Sequence, residues 1–373
     1  MANVVFSGYF GFNNAGDEAI LYATIKTLKK IDPDLRITVL VNNAQKTNTQ
    51  YDSFEIEAVD RWSIFEVIKS IWRCDLLISG GGSIIQDVSS VNSPLYYLGV
   101  IFIAKLLEKQ VMIYSQGIGP VKKGRNRRIT AWLFNKADRI TVRDQESKED
   151  LTSMGVKREI IVTADAVLGL PAEDIDEELG RKILDRYGIS KEDGKKLLGV
   201  CIRPWDKNSY LKNLVEVLDK MAESGWKIIF VPMQFPNDVA ISRETAKLMI
   251  AHEDVVVLRE SYSTEEFMAI IKNLDLLVGM RLHPLIISAI VGIPMVGLSY
   301  DPKIDRFLRQ VGQVALISVD NINSQTLLEM LVWADTNRED ILKDMETKRK
   351  VLYQKAWQTA RIAMSLLNQG KEE

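Results

Sequence analysis

Short apolar runs alternate along the chain with longer segments of mixed polarity. Residues 4–7, 36–41 and 76–79 are apolar runs of the length expected for buried strands. Residues 17–31 and 93–107 are predicted to be helices. Because strands that alternate with helices usually form parallel sheets, the pattern predicts an α/β fold.

The pattern changes once and then resumes, which predicts two domains. After predicted strands at residues 160–163 and 166–170, the chain becomes acidic and helical and then polar, before a new strand at 197–202. The predicted divisions are an N-terminal Rossmann-like domain at 1–172, a linker region at 173–196, a second Rossmann-like domain at 197–338, and a helical segment at 339–373. The last segment is predicted as one long helix or two shorter ones, placed to pack back on the first domain.

We therefore predict two doubly wound Rossmann-like domains that face a central cleft. In sheets of this kind, ligands bind outside the carboxyl ends of the strands. Candidate site residues are accordingly sought just after predicted strands.

Composition narrows the class of protein. The 373 residues, 46% hydrophobic and 26% charged, are typical of a soluble globular chain, and the net charge of −2 argues against a nucleic-acid partner. The longest strongly apolar stretch, residues 95–107, is too short to span a bilayer and contains Lys105. Neither Cys74 nor Cys201 has the spacing of a metal ligand, so we expect a cytoplasmic protein with no metal site and no cofactor.

The segment DLLVGMRLHP contains the strongest candidate chemistry. A predicted strand at residues 276–278 leads through Gly279 to Arg281 and His283, at the start of an apolar helix with Pro284 in its first turn. Free N–H groups and the helix dipole at such a position favour an anion. Arg281 and His283 are therefore predicted to bind a negatively charged ligand.

A second distinctive segment, GYFGFNNAGDEAIL, follows the first strand. Asn13, Asn14 and Gly16 precede a helix that opens with Asp17 and Glu18. The spacing is not G-x-G-x-x-G, there is no Lys-Ser/Thr pair as in a P-loop, and two acids would repel a phosphate. Either the acids complement the helix dipole, or the segment hydrogen-bonds a polyol.

These two segments, together with SGGGSIIQD at 79–87 and TVRD at 141–144, resemble the polysaccharide pyruvyltransferase family, and more narrowly the CsaB-type cell-wall polymer enzymes. The resemblance implies a GT-B-like fold. It implies transfer of the enolpyruvyl unit of phosphoenolpyruvate (PEP) to a sugar, which forms a cyclic pyruvate ketal and releases phosphate. The implied acceptor is an N-acetylmannosamine unit on a lipid-linked precursor, and PEP is a co-substrate.

The resemblance also implies roles for single residues. Arg281 and His283 are expected to bind PEP, with Arg203 and Lys303 as supporting cations. PEP carries about three negative charges near neutrality, which calls for several cations in one pocket. Since strand ends converge, these four side chains are expected to meet.

The acid–base groups are less well defined by the sequence. His283 is expected to act as an acid or to bind the phosphate. Asp17 or Glu18 is expected to deprotonate an acceptor hydroxyl or to anchor the sugar. Arg143, in TVRD, either binds PEP from the opposite domain or pairs locally near Asp144.

The glycine triplet is expected to line the acceptor side of the cleft. Gly80, Gly81 and Gly82 follow a buried strand, and they either serve only as a flexible connection or let backbone amides approach the sugar. Ser83 and Gln86 are the side chains expected to contact the sugar there. The similar segment SQGIGP, at residues 115–120, is expected at the same edge.

Two further segments bear on a membrane partner. The basic run at residues 122–128 is either an ordinary solvated face or a contact for the acceptor diphosphate and the inner membrane surface. The helix predicted at 61–73, with Trp62, Phe65 and Trp72, either adds an apolar membrane contact or faces the core.

Two other functions compete with the pyruvyltransferase. A GT-B glycosyltransferase with a nucleotide sugar donor would share the fold, so the fold does not separate the two. The sequence shows no evident uracil or ribose clamp, and its cations suit a compact trianion better. A non-catalytic glycan-binding protein is the third alternative, which the RLHP segment disfavours.

Overall fold

The computed structural model describes residues 2–88, 90–190, 194–313 and 316–369. Contacts divide the chain into two compact units. Unit 1 runs to Phe12, resumes from Asp17 to Leu170, and includes the chain from Leu352 onward, whereas unit 2 consists of Asn13–Gly16 and Pro171–Val351. The loop Asn13–Gly16 therefore belongs by its contacts to unit 2, although it lies early in the sequence.

Unit 1 is built on alternating strands and helices. Its elements are β1 (Asn3–Phe10), α1 (Ala15–Ile31), β2 (Arg36–Val41), α2 (Ala44–Gln50), β3 (Glu57–Asp60), α3 (Ile64–Arg73), β4 (Leu76–Gly80), α4 (Ser93–Leu106), β5 (Gln110–Gln116), α5 (Gly124–Phe134), β6 (Arg139–Val142), α6 (Gln145–Met154) and β7 (Ile161–Val162). The strands form a parallel sheet in the order β3-β2-β1-β4-β5-β6-β7. The strand order reverses between β1 and β4, and ligands of doubly wound sheets bind at such a point.

Unit 2 repeats this architecture. Its elements are α7 (Glu177–Asp185), β8 (Lys196–Cys201), α8 (Leu211–Glu223), β9 (Trp226–Phe230), α9 (Asn237–Leu248), β10 (Val255–Val257), α10 (Thr264–Lys272), β11 (Leu276–Gly279), α11 (Leu282–Val291), β12 (Met295–Ser299), α12 (Pro302–Gln310), β13 (Leu316–Ser318), α13 (Ser324–Thr336) and the start of α14 (Arg338–Gln369). The parallel strands follow the order β10-β9-β8-β11-β12-β13, with the reversal between β8 and β11. Two parallel sheets flanked by helices confirm the predicted α/β class.

One predicted strand is wrong. Residues Ala166–Gly169 form a turn of 3-10 helix in place of the strand predicted at 166–170. The carboxylate of Asp165 accepts a hydrogen bond from the N–H of Val167 at 3.2 Å and so caps this turn. A short buried apolar run does not by its periodicity distinguish a strand from a helical turn, which explains the error.

The segment predicted as a linker contains packed structure. Helix α7 lies against α10, and a Cβ at Gly180 would overlap the backbone of Ala269. The ammonium of Lys272 donates to the carbonyl of Ile175 at 2.8 Å. The described part of 173–196 therefore belongs to unit 2, whereas residues 191–193 lie outside the described residues.

The C-terminal segment is one long helix, α14, as one of the two alternatives predicted. Its residues from Leu352 onward belong to unit 1, where the indole of Trp357 donates to the carbonyl of Gly169 at 3.0 Å. Residues 370–373 of this segment lie outside the described residues. Among the described helices, none has the length and apolar character required to cross a bilayer.

Candidate functional site

Two predicted cations, Arg203 and Arg281, follow adjacent strands of unit 2 in the same register. The register places Cys201 of β8, Gly279 of β11 and Gly297 of β12 side by side. Arg203 and Arg281 each follow two residues later, and neighbouring strands lie about 4.8 Å apart. The two arginines therefore flank the reversal of strand order, where doubly wound sheets bind ligands.

A buried carboxylate holds the Arg281 guanidinium. Nε donates to Oδ2 of Asp238 at 2.6 Å, and Nη2 donates to Oδ1 at 2.7 Å. Nη2 also donates to Oε1 of Gln234 at 3.0 Å. Asp238 is fully buried and accepts the N–H of Met233 as well, so the fork is fixed in one orientation.

The pairing of Asp238 with Arg281 was not predicted from the sequence. It lies in the first turn of α9, where an acidic residue is usually explained by the helix dipole alone. The only available signal is the polar segment QFPND directly after a buried strand, at a strand end of the same sheet.

Arg203 is held by an aromatic residue. Its Nη1 donates to the hydroxyl of Tyr300 at 2.7 Å, and its guanidinium carbon lies 4.7 Å from the centre of that ring. The backbone carbonyl of Arg203 accepts the hydroxyl of Tyr210 at 2.7 Å. The Nε of Arg203 is buried without a hydrogen-bond partner among the described residues, so it remains able to donate to a ligand.

Lys303 shares the same tyrosine. Asp301 caps α12 by accepting the N–H of Lys303 at 3.0 Å, and its other oxygen lies 3.2 Å from the Lys303 ammonium. That ammonium lies 5.7 Å from the centre of the Tyr300 ring. Tyr300 therefore connects the two supporting cations, a role that the sequence analysis missed.

His283 lies in the first turn of α11, directly after Arg281, as the sequence predicted. Its imidazole packs on the backbone of Gly16, where a Cβ would overlap Nδ1. A side chain at position 16 would therefore displace the imidazole, which explains the glycine in physical terms.

The loop that contains Gly16 makes its contacts in unit 2. Asn14 forms a β-bridge with Gln234, and the N–H of Ala15 donates to the carbonyl of Met233 at 2.9 Å. The side chain of Asn14 accepts the N–H of Gly16 at 3.1 Å. Asn13, Asn14 and Gly16, predicted as acceptor contacts on the first domain, thus lie beside the cations of unit 2.

The glycine triplet lies at the reversal of strand order in unit 1. Gly81 and Gly82 both have a left-handed backbone, and a Cβ at Gly81 would overlap Ile20 of α1. A Cβ at Gly82 would lie 3.0 Å from Oδ1 of Asp17. Gly80 is likewise left-handed and packs on β5, so the triplet is needed for close packing as well as for the turn.

The second glycine segment bonds directly to the first. The N–H of Gly117 donates to the carbonyl of Gly82 at 2.8 Å, and the N–H of Gly119 donates to that of Ile85 at 3.0 Å. The two segments form one edge of unit 1, as the sequence analysis expected.

The two acids of α1 have different surroundings. Glu18 accepts the N–H of Gly11 at 2.7 Å, and burial raises the pKa of its carboxyl group. This contact fixes the glycine turn. Asp17 lies beside Gly82, and burial together with the charge of Asp17 raises the pKa of Tyr9.

Arg143 is surrounded by acids of unit 1. Its Nε lies 3.5 Å from Asp144, its Nη1 lies 3.4 Å from Asp165, and its Nη2 donates to the hydroxyl of Ser83 at 3.0 Å. Two carboxylates balance its charge, which is the local pairing that the sequence analysis left open. Ser83 is thereby engaged, and Gln86 accepts the N–H of Val88 at 2.8 Å.

An aromatic cluster around Arg61 was also missed. The rings of Tyr9 and Phe12 stack at 4.1 Å, and the Arg61 guanidinium lies 5.2 Å from the Phe12 ring and 4.0 Å from the Tyr96 ring. Burial raises the pKa of the neighbouring Tyr97 to about 12. Tyr9 and Phe12 are visible in the GYFGF segment, but Arg61 and Tyr96 come from distant segments, so only the fold brings them together.

Comparison with solved structures gives the fold. A putative UDP-N-acetylglucosamine 2-epimerase from Listeria monocytogenes is 15% identical, with a TM-score of 0.69 over 100% of this chain and 97% of that one. HepE from Anabaena, in complex with UDP-glucose, is 14% identical, with a TM-score of 0.68 over 98% and 100% of the two chains. These similarities confirm the GT-B-like fold class.

Sequence comparison gives a relative and a family. The amylovoran biosynthesis protein AmsJ from Erwinia amylovora is 23% identical over 280 residues, which cover 70% of this chain and 65% of that protein. The model of the polysaccharide pyruvyl transferase family matches residues 14–302. This match includes the glycine triplet, Arg281, His283 and the start of α12, and the chain therefore belongs to the polysaccharide pyruvyl transferase family.

Proposed function

We propose that the pyruvyl donor is PEP and that it binds at the carboxyl ends of β8, β11 and β12. The observation that carries this proposal is the register that brings Arg203 and Arg281 to adjacent strand ends at the reversal of strand order. PEP has a carboxylate and a phosphate, and arginine forks bind both kinds of oxyanion.

Each cation is assigned a separate role in binding the donor. Asp238 and Gln234 engage Nε and Nη2 of Arg281, so we assign its Nη1 to the donor. The buried Nε of Arg203 supplies a second donor group, and Lys303 adds a point charge. His283, in the first turn of α11, adds an imidazole where the helix dipole already favours an anion.

The proposed reaction forms two C–O bonds, breaks one and conserves all protons. The methylene carbon of PEP takes up a proton, and a sugar hydroxyl attacks C2 to form the first C–O bond. The bond between C2 and the phosphate oxygen breaks, and a second hydroxyl of the same sugar closes the ketal. The two hydroxyls lose two protons, of which one is retained in the new methyl group and the other leaves on the phosphate.

We assign His283 to the phosphate, as its acid or its hydrogen-bond partner. A neutral imidazole that takes up a proton beside a phosphate gains a favourable charge pair. General acid–base assistance of this kind typically contributes about 10²–10⁴-fold to the rate.

For the acceptor we propose the glycine-rich edge of unit 1. Asp17 is the carboxylate there that is placed to receive a hydroxyl proton or to anchor the sugar, since Glu18 holds the glycine turn. The stacked rings of Tyr9 and Phe12 offer an apolar face, which sugar sites commonly combine with a few polar groups. From the CsaB-type resemblance, the proposed acceptor is N-acetylmannosamine on a lipid-linked precursor, modified on the cytoplasmic side.

Thermal stability with different donors tests the proposal. PEP is expected to raise the melting temperature of the wild-type protein, because a ligand that binds only the folded state stabilises it. UDP-glucose and UDP-N-acetylglucosamine serve as competing ligands, since a GT-B glycosyltransferase would bind them. Stabilisation by a UDP-sugar and not by PEP would contradict the proposal.

Two arginine variants, one in the proposed site and one control, make this test specific. Arg281→Ala is expected to lose the PEP response, whereas Arg243→Ala, an exposed arginine further along α9, is expected to keep it. Release of phosphate from PEP, measured with a lipid-linked N-acetylmannosaminyl disaccharide, then examines the reaction itself.

A further inference from the structure

Helix α3 in unit 1 is apolar on two faces. Val67 and Ile71 are buried against the sheet. On the outer face, Phe65 is 75% exposed and Trp72 is 62% exposed, and Ile64 and Ile68 extend the same stripe. A surface helix of a globular protein normally has one apolar stripe, which faces the core. The second stripe is therefore not required for folding.

Exposed aromatic residues also lie on the next two helices of unit 1. Helix α4 lies between α3 and α5. On α4 and α5, Phe102 is 45% exposed and Trp132 is 50% exposed, with their ring centres 5.9 Å apart. We call Ile64, Phe65, Ile68, Trp72, Phe102 and Trp132 the outer apolar face. A soluble monomer rarely exposes a large apolar patch unless the patch contacts a partner.

Positive charge lies next to this face. Residues 121–136 contain no Asp or Glu, although the whole chain has a net charge of −2. The side chains of Lys122, Lys123, Arg125 and Arg128 are exposed at the start of α5. Positively charged side chains therefore lie beside the outer apolar face, without acidic ones among them.

Asp87 fixes the start of this basic segment. Its two carboxylate oxygens accept the N–H groups of Lys122 and Lys123, each at 2.8 Å. Burial raises the pKa of the Asp87 carboxyl group, but these hydrogen bonds outweigh burial and lower it overall. Asp87 therefore remains ionised and keeps the lysine side chains at a defined place beside α4.

We propose that the outer apolar face and the basic segment dock on an anionic phospholipid surface. Tryptophan and phenylalanine insert favourably at the boundary between lipid headgroups and acyl chains. Lysine and arginine are attracted to anionic headgroups. A protein partner or a second copy of this chain would account for the apolar residues, but the run of cations without acids is complementary to the bilayer surface. This inference goes beyond the proposed reaction, because no substrate is needed to test it.

Vesicle flotation with the full chain tests the proposal. Wild-type protein is expected to float with equimolar phosphatidylcholine and phosphatidylglycerol vesicles, and much less with pure phosphatidylcholine. Each basic residue near an anionic surface contributes roughly a fivefold increase in partitioning. Reversing Lys122, Lys123 and Arg125 to Glu is therefore expected to lower partitioning by at least about 10²-fold.

The apolar residues are tested separately. Phe65→Ser with Trp72→Ser is expected to lower partitioning about tenfold or more on both kinds of vesicle, since buried apolar area drives interfacial binding. A variant with Lys212, Lys247 and Lys343 changed to Glu has the same net charge as the first, and all three lysines are exposed in unit 2. It is expected to bind as the wild type does.

Three results would overturn the proposal. Wild-type protein does not float with anionic vesicles; or the charge-reversed and control variants float equally; or the serine variant changes only the oligomeric state in light scattering. The last result would assign the face to a second copy of the chain. Circular dichroism and melting curves of each variant verify that the fold is retained.

Discussion

In unit 2, the strands on either side of the reversal are followed two residues later by Arg203 and Arg281, whereas in unit 1 the corresponding strands β1 and β4 lead into glycine-rich loops. Both sheets are parallel and reverse their order in the same way. The fold therefore determines where each unit can bind a ligand, but the residues at the strand ends determine which ligand suits it. Unit 2 offers positive charge, and unit 1 offers backbone amides, aromatic rings and a carboxylate.

Two arginines illustrate the difference. Arg281 and Arg143 both follow strands, and the sequence offered both as PEP ligands. Arg281 has one buried carboxylate and one amide as partners, while Arg143 lies between two carboxylates and a serine. The number of acids around each arginine, and not its position after a strand, decides how much charge remains for a ligand.

The largest expected effect is on Arg281. Arg281→Ala is expected to lower kcat/KM for PEP by about 10³-fold or more, because the donor loses the cation that presents Nη1 to it and Asp238 is left buried and unpaired. Arg281→Lys keeps the charge but not the planar fork, and we expect it to recover little activity. Initial rates of phosphate release at varied PEP concentrations measure both. Activity near that of the wild type in either variant would remove Arg281 from the donor site.

Substitution of Arg143 is expected to lower the stability of the protein and to leave PEP binding intact. Arg143→Met leaves Asp144 and Asp165 without their cation, and the Arg143 side chain is only 7% exposed. We expect a loss of about 3 kcal/mol in the free energy of unfolding. Urea denaturation measures the loss. The rise in melting temperature that PEP causes is expected to remain, and it is measured in a scan that starts at low temperature so that the variant is folded at the start. Unchanged stability with loss of the PEP shift would place Arg143 in the donor site instead.

Asp238 is expected to act through Arg281. In Asp238→Asn the Arg281 guanidinium is held less firmly, which lowers PEP affinity. The variant also lacks a negative charge near the donor, which raises PEP affinity, so the two effects oppose each other. We therefore expect kcat to fall about tenfold while KM for PEP changes less than about threefold. Asp238→Glu, which restores the carboxylate, is expected to recover part of kcat at the same protein stability. Equal losses in both variants, matched by equal losses of stability, would reduce Asp238 to a purely structural role.

The smallest effect is expected at Glu18. Burial raises the pKa of this carboxyl group above its ordinary value of 4.5, so the folded state holds its proton more tightly than the unfolded state. Stability is therefore expected to fall as pH rises from the unfolded pKa through the folded one. Glu18→Gln keeps an oxygen for the N–H of Gly11 and removes this pH dependence. Urea denaturation of both proteins over mildly acidic pH measures the difference, and parallel curves would show that Glu18 titrates normally.

Much of this arrangement could be predicted from local pattern. Most strands and helices follow from apolar runs and glycine turns, as do the positions of Arg281 and His283 after β11. What the sequence could not supply is register and side-chain pairing. Asp238 and Tyr300 hold the two arginines across strands, and pairing between distant segments has no local signature.

Two interpretations depended on information that only the fold contains. The loop Asn13–Gly16 follows the first strand, so sequence order assigned it to the first domain, but its contacts are with Met233, Gln234 and His283. The helix around Phe65 and Trp72 has a broad apolar arc, and periodicity alone did not tell which of its residues face water. In the structure, the residues at 67 and 71 take the buried positions.

The shared helix α14 has a consequence for biosynthesis of the chain. Unit 1 contains the first residues of the polypeptide, yet it also includes the segment from Leu352 onward, where Trp357 bonds to Gly169 and Thr359 bonds to Thr163. Ribosomes release that segment only after all of unit 2 has been synthesised. The amino-terminal sheet therefore stays incompletely covered until the segment from Leu352 onward has been translated, and a nascent chain stalled before this point would expose surface that chaperones recognise.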